Sequence, residues 1–124
     1  MLERRIMSAG KLNITIEQGA TFNRDFTYTD QYGTPINITG ATIRMNIKEN
    51  FEDSTAILSA TTGDDGRVSL TNASKGKFNL KISASDTADL SFDQAYYQIE
   101  IEFTDGQVDR ILEGRARLSK EIVR

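Results

Sequence analysis

The segment YQIEIEFTDGQVDRILEGRARL, from Tyr97 to Leu118, decides the fold class. Tyr97, Ile99, Ile101 and Phe103 take every second position, with Gln98, Glu100 and Glu102 between them. That period of two puts successive side chains on opposite faces of a strand. Asp105 and Gly106 follow, an Asp-Gly pair expected at the two centre positions of a hairpin turn. The return strand is expected from Val108 to Leu118, with Leu112, Gly114, Ala116 and Leu118 inward. Arg115 and Arg117 then project outward, opposite the glutamates of the preceding strand, where cross-strand ion pairs would suit the face.

The same period recurs upstream. Leu12, Ile14 and Ile16 alternate with Asn13, Thr15 and Glu17 as a first strand. After QGAT, Phe22, Phe26 and Tyr28 read inward, while Arg24 falls on the same parity and requires a bulge, an edge or a paired carboxylate. DQYGTPINITGATIRMNIKE (Asp30–Glu49) supplies a turn at Gly33, a fixed φ at Pro35 and a second break at Thr39–Gly40. Ile43, Met45 and Ile47 then face one way in the next strand. GDDG, ending at Gly66, marks a hairpin turn before Val68 and Leu70, and Phe78, Leu80 and Ile82 share one face beyond it. Near residues 85–90 one helical turn is expected, with Ser85 as its N-cap and Leu90 tucked beneath. About seven or eight short strands separated by turns give an all-β fold, an antiparallel immunoglobulin-like β-sandwich. The expected organisation is an N-terminal arm, residues 1–10, followed by one domain, residues 11–124. In the arm, Leu2, Ile6 and Met7 are candidate oligomer contacts, aliphatics best used against a neighbouring subunit.

Composition removes many functions. The 124 residues contain no cysteine and no histidine, so disulfides, thiolate zinc sites, cysteine nucleophiles and the commonest general base are missing. The expectation is a protein that is not an enzyme and carries no cofactor or metal. With 15 basic against 18 acidic residues, the chain offers no long-range attraction to a phosphate backbone, and nucleic acid is not expected as a partner. No apolar run approaches the ~18 residues that cross a bilayer, and no export signal follows MLERRIMSAG, so a product of the cytoplasm without a membrane partner is expected.

The remaining candidates have plainer readings beside them. Asp64 and Asp65, with Asp53 or Asp105, could offer oxygens to calcium, but a turn calls for these acids without a metal. Glu100 and Glu102 could be paired carboxylates, yet they stand on the solvated parity of a strand beside basic residues. Among the aromatics, Phe22, Phe26, Phe78 and Phe103 have core parity. Tyr32, Tyr96 and Phe51 remain for a surface role such as stacking on a sugar.

From Leu12 to Glu49 the order LNITIEQGATFNRDFTYTDQYGTPINITGATIRMNIKE, with Gly33, Pro35, Thr39 and Gly40 at its turns and Gln18, Gly19 and Phe22 in support, resembles a phage family. It is similar to the immunoglobulin-like N-terminal domain of siphophage baseplate upper proteins and to small collar or baseplate proteins of long-tailed phages. The pattern G-x-F-x-L-x-I-S at Gly76–Ser83, Y-x-I-E-I at Tyr97–Ile101 and ILEG at Ile111–Gly114 follow the same layout. The resemblance implies a structural virion protein of the tail, made in the host cytoplasm, assembled as a homo-oligomeric ring and touching other tail proteins. Larger members continue into a helical or fibre region beyond the point matching Arg124, so a ring subunit that need not carry a fibre itself is expected. The other function kept open is a saccharide- or receptor-binding module of a virion, with a weak host-surface glycan as ligand.

Overall fold

The structure, a computed structural model, describes residues 10–123. Leu2, Ile6 and Met7 lie outside the described residues. The strands are β1 (Gly10–Lys11), β2 (Ile14–Glu17), β3 (Phe22–Thr27), β4 (Thr42–Lys48), β5 (Leu58–Thr61), β6 (Val68–Asn72), β7 (Lys77–Ile82), β8 (Gln94–Glu102) and β9 (Val108–Ser119). A six-stranded sheet runs β1–β9–β8–β4–β5, with β2 also on β9, and a three-stranded sheet runs β3–β7–β6. The chain is thus mostly β, with one short helix, α1 (Ala84–Ala88), and a 3-10 turn at Ala73–Lys75.

Alternation builds the core. In β8, Ala95, Tyr97, Ile99 and Ile101 are buried while the residues between them reach solvent. Ile43, Met45 and Ile47 of β4 and Phe78, Leu80 and Ile82 of β7 are likewise buried, and side chains of both sheets join one hydrophobic cluster. Each such burial contributes roughly 1.5–3 kcal/mol relative to exposure. Phe26 stacks on Phe78 at 5.2 Å, so the edge strand β3 is pinned through an aromatic pair. Arg24, the misfit on that strand, sits across from Leu80 and is exposed, because β3 is an edge and its side chain escapes sideways.

Several expectations are corrected by the register. The sheets are not wholly antiparallel, since β1 and β2 both run parallel to β9. Gly10, assigned to the arm, is already paired with Leu112 in β1. The turn at Gly63–Gly66 forms, yet it joins strands of different sheets rather than hairpin partners. Arg67 makes that crossing: its guanidinium donates to the Ser59 carbonyl at 2.8 Å and to Asp86 at 2.7 Å, tying β5 and α1 to the start of β6. The helix is capped two residues earlier than expected, by Ser83 in place of Ser85, and the Ser83 hydroxyl accepts the Asp86 amide at 3.1 Å. Leu90 is buried beyond it, as expected.

At the β8–β9 turn the Gly106 amide donates to the Phe103 carbonyl at 2.9 Å, which makes Thr104 and Asp105 the centre residues. Gly106 instead takes the left-handed position after them, with φ 91°, so the connection is a three-residue loop. A bulge then follows: Ile99 pairs with Leu112 but Glu100 pairs with Arg110, leaving Ile111 as the extra residue. With so short a connection the glutamates pair with Arg110 and Val108, and Arg115 and Arg117 stand farther along, opposite Tyr96 and Gln94. Arg44 of β4 takes the glutamates instead, at 3.0 Å from Glu102 and 3.6 Å from Glu100. Before the bulge the parity inverts, so Val108 is exposed and Asp109 is buried, where it accepts the Tyr28 hydroxyl at 2.9 Å and the Gln107 amide at 3.0 Å.

Between β1 and β2 the chain passes over Gly114. A Cβ there would overlap the Leu12 carbonyl, and the Arg115 amide donates to the Asn13 side chain at 3.0 Å beside it. Gly114→Ala is therefore expected to lower stability by ~1–3 kcal/mol through overpacking. Faster amide exchange at Leu12 and Ile16 than in the native chain is the accompanying readout. Gly33→Ala, where nothing lies within 4 Å of the new Cβ and only the φ of 83° is unfavourable, should leave those amides protected.

Candidate functional site

Because the inward side chains of β4, β8 and β9 are spent on the core, their alternates form the outer face of the larger sheet in cross-strand rows. One row is Lys48, Tyr96 and Arg115. The next is Asn46, Gln98 and Glu113, and the third is Arg44, Glu100 and Arg110. Cross-strand neighbours stand ~5 Å apart at Cβ, so each row is one contact unit.

Phe51 is brought onto this face by the loop that leaves β4. A turn closes there, with the Asn50 amide donating to the Asp53 carboxylate at 3.0 Å and the Asp53 amide to the Asn50 carbonyl at 3.2 Å. Phe51 stacks on Tyr96 at 4.5 Å between ring centres and 25° between planes, while 65% exposed, so its far side is open to solvent. The pair borders two shallow hollows, one of about 160 Å³ toward Arg44, Asn46 and Glu100, the other of about 250 Å³ toward Lys11, Asn13 and Glu113.

Charge on the face is unevenly neutralised. Arg44 is shared by Glu100 and Glu102, which leaves those carboxylates engaged as partners of one cation. Lys11 bonds Glu113 and, together with Arg110 at 3.7 Å, holds the Glu113 carboxyl below its ordinary range, the Lys11 hydrogen bond being the main cause. Lys48 and Arg115, on either side of Tyr96, have no carboxylate within ion-pair distance among the described residues.

Of the aromatics left for the surface by sequence, the structure brings Phe51 and Tyr96 together, whereas Tyr32 is 80% exposed on the Asp30–Gly33 turn and borders neither hollow. Gly33, Gly40, Gly66 and Gly106 all have positive φ, and Pro35 forms an isolated bridge with Thr29. Asp65 accepts the Thr61 and Arg67 amides at 2.9 Å each, which is turn chemistry, and no cluster of three metal-ligating acids occurs among the described residues. Lys48 and Arg115 were not legible as site residues, since only the strand register sets them beside Tyr96. No helix of the described residues is long and apolar enough to cross a membrane. Compared with known proteins, the chain matches no family model and no curated protein.

The floor beneath the face is Tyr97, whose ring lies opposite Gly114 and whose hydroxyl donates to the Leu12 carbonyl at 2.6 Å. Burial pushes this phenol up to about 12 from an ordinary 10.0, with the charge of Arg24 offsetting part of the rise. The fold therefore binds this proton more tightly than the unfolded chain does. The associated stability is fully present below pH 10.0 and is lost as the pH climbs toward about 12. Urea midpoints should fall across that window in the native chain, and Tyr97→Phe should flatten the fall while costing ~1–3 kcal/mol at neutral pH for the carbonyl left unbonded. An equally steep fall in the variant would assign the effect to another group.

Proposed function

We propose that this chain is a structural component of a bacteriophage tail, located in the virion at the collar or baseplate, where copies form a ring and contact other tail proteins. The observation that carries the reading is the strand order. Taking β3 to β9 in turn as strands B, C, C′, D, E, F and G, the sheets read B-E-D and G-F-C-C′, an order that supports reading the fold as a variable-type immunoglobulin-like sandwich. The resemblance to the phage family implies such a sandwich, and the turn positions that carry the resemblance are in keeping with it: Gly33 and Gly40 hold left-handed turns on either side of Pro35. Gln18 and Gly19 serve the same frame, since the Gln18 amide donates to the Leu90 carbonyl at 2.7 Å and the Gly19 amide to the buried Thr87 hydroxyl at 3.0 Å, docking α1 on the β2–β3 turn. A fold alone hosts many functions, so the tail assignment leans on the resemblance for its location.

An epitope-tagged chain should be found on the tails of purified particles by immunogold electron microscopy, and light scattering of the isolated protein should give a mass several times 13.8 kDa. Label confined to host cytosol would overturn the assignment.

A second reading, a saccharide- or receptor-binding module of the virion, is favoured by one observation: the Phe51–Tyr96 pair with its open face between polar hollows. Exposed aromatic rings flanked by amides are suited to the apolar face and hydroxyls of a sugar. Binding on a glycan array that Tyr96→Ala abolishes would favour this reading, and silence across the array returns the face to scaffold duty.

A further inference from the structure

Resting on the saccharide reading of the outer face, we infer that the sugar it takes is an acidic one, a pyranose stacked on the open side of Phe51 with its carboxylate or phosphate held by Lys48 and Arg115. The register supplies the geometry. Lys48 and Arg115 are the cross-strand neighbours of Tyr96 on its two sides, so the aromatic pair lies between two cations. Elsewhere on this face Arg44 and Lys11 are neutralised by glutamates, whereas Lys48 and Arg115 beside the rings, and Arg117 one row beyond them, have no carboxylate within ion-pair distance among the described residues. In a chain of net charge -3, that is a local positive site in an otherwise acidic molecule. An anion placed there is attracted by both cations, and charge-assisted hydrogen bonds to a carboxylate or phosphate are stronger than those to hydroxyls.

The surroundings favour a sugar over a protein partner. Asn46 and Gln98 border the first hollow and Asn13 the second, giving amide donors and acceptors for ring hydroxyls. A protein interface of ordinary strength has an apolar core, whereas here one aromatic pair stands among polar and charged side chains. The hollows, about 160 and 250 Å³, are smaller than the ~300–1,000 Å³ pockets that enclose drug-sized ligands. One or two rings lying on the sheet are what they accommodate.

The test is a titration of the full chain followed by amide NMR shifts at low ionic strength, with trigalacturonate, mannose 6-phosphate and maltotriose as separate probes. The expected result is binding of at least one charged sugar about 3–10-fold tighter than maltotriose, as two exposed charge contacts allow. Which charged sugar binds tells carboxylate from phosphate. The preference should collapse at high salt and in the K48Q/R115Q double variant, which keeps its circular dichroism and its maltotriose affinity, while Phe51→Ala weakens every probe. Equal affinity for charged and neutral sugars overturns the inference and leaves the saccharide reading standing. No binding of any probe overturns both. Self-association of the native chain that Phe51→Ala abolishes also overturns the inference, because the face would then belong to another copy.

Discussion

The contact between Tyr97 and the backbone across from it is where the parts of this molecule meet. The Leu12 carbonyl occupies the space that Gly114 leaves open, and the Tyr97 hydroxyl holds that carbonyl at the point where β1 gives way to β2. Inward, the same residue belongs to the hydrophobic cluster; outward, its neighbours Tyr96 and Gln98 carry the candidate site. A glycine, a phenol and one carbonyl thus set how the first strands lie on the last one.

Much of the fold was legible because alternation is a strong signal where one face of a sheet is dry. Ile99 and Ile101 in β8, Ile43 and Ile47 in β4, and Leu80 and Ile82 in β7 were all read inward and are all buried. What the sequence could not announce was pairing. A bulge at Ile111 shifts the register by one residue and moves Asp109 into the interior, while the short hairpin connection sets Arg115 and Arg117 opposite Tyr96 and Gln94, far along β8 from Glu100 and Glu102. Parity within a strand is local information, but the identity of its partner is set by contacts far along the chain.

The candidate site shows the same division. Phe51 and Tyr96 were recognisable as aromatics without a core position, which is a property of each residue in its own segment. Their stacking depends on the Asn50–Asp53 turn folding back over the sheet, and the flanking cations depend on the register of three strands. Tyr32, equally eligible by sequence, stands apart because its turn lies elsewhere. A site assembled on a sheet face is a cross-strand object, so its members are scattered at positions 48, 51, 96 and 115 with no motif to join them.

The parallel pairing of the first and last strands has a mechanical meaning. Ile14 to Glu17 lie beside Ala116 to Ser119 and point the same way, so tension applied through the two ends of the domain drags β2 and β9 past each other lengthwise. Hydrogen bonds loaded in that direction share the force and must give way together, whereas those of a hairpin pulled open from its end fail one after another. A domain wired in this manner meets tension between its ends with the β2–β9 ladder in shear, a useful geometry for any part that transmits load between its neighbours.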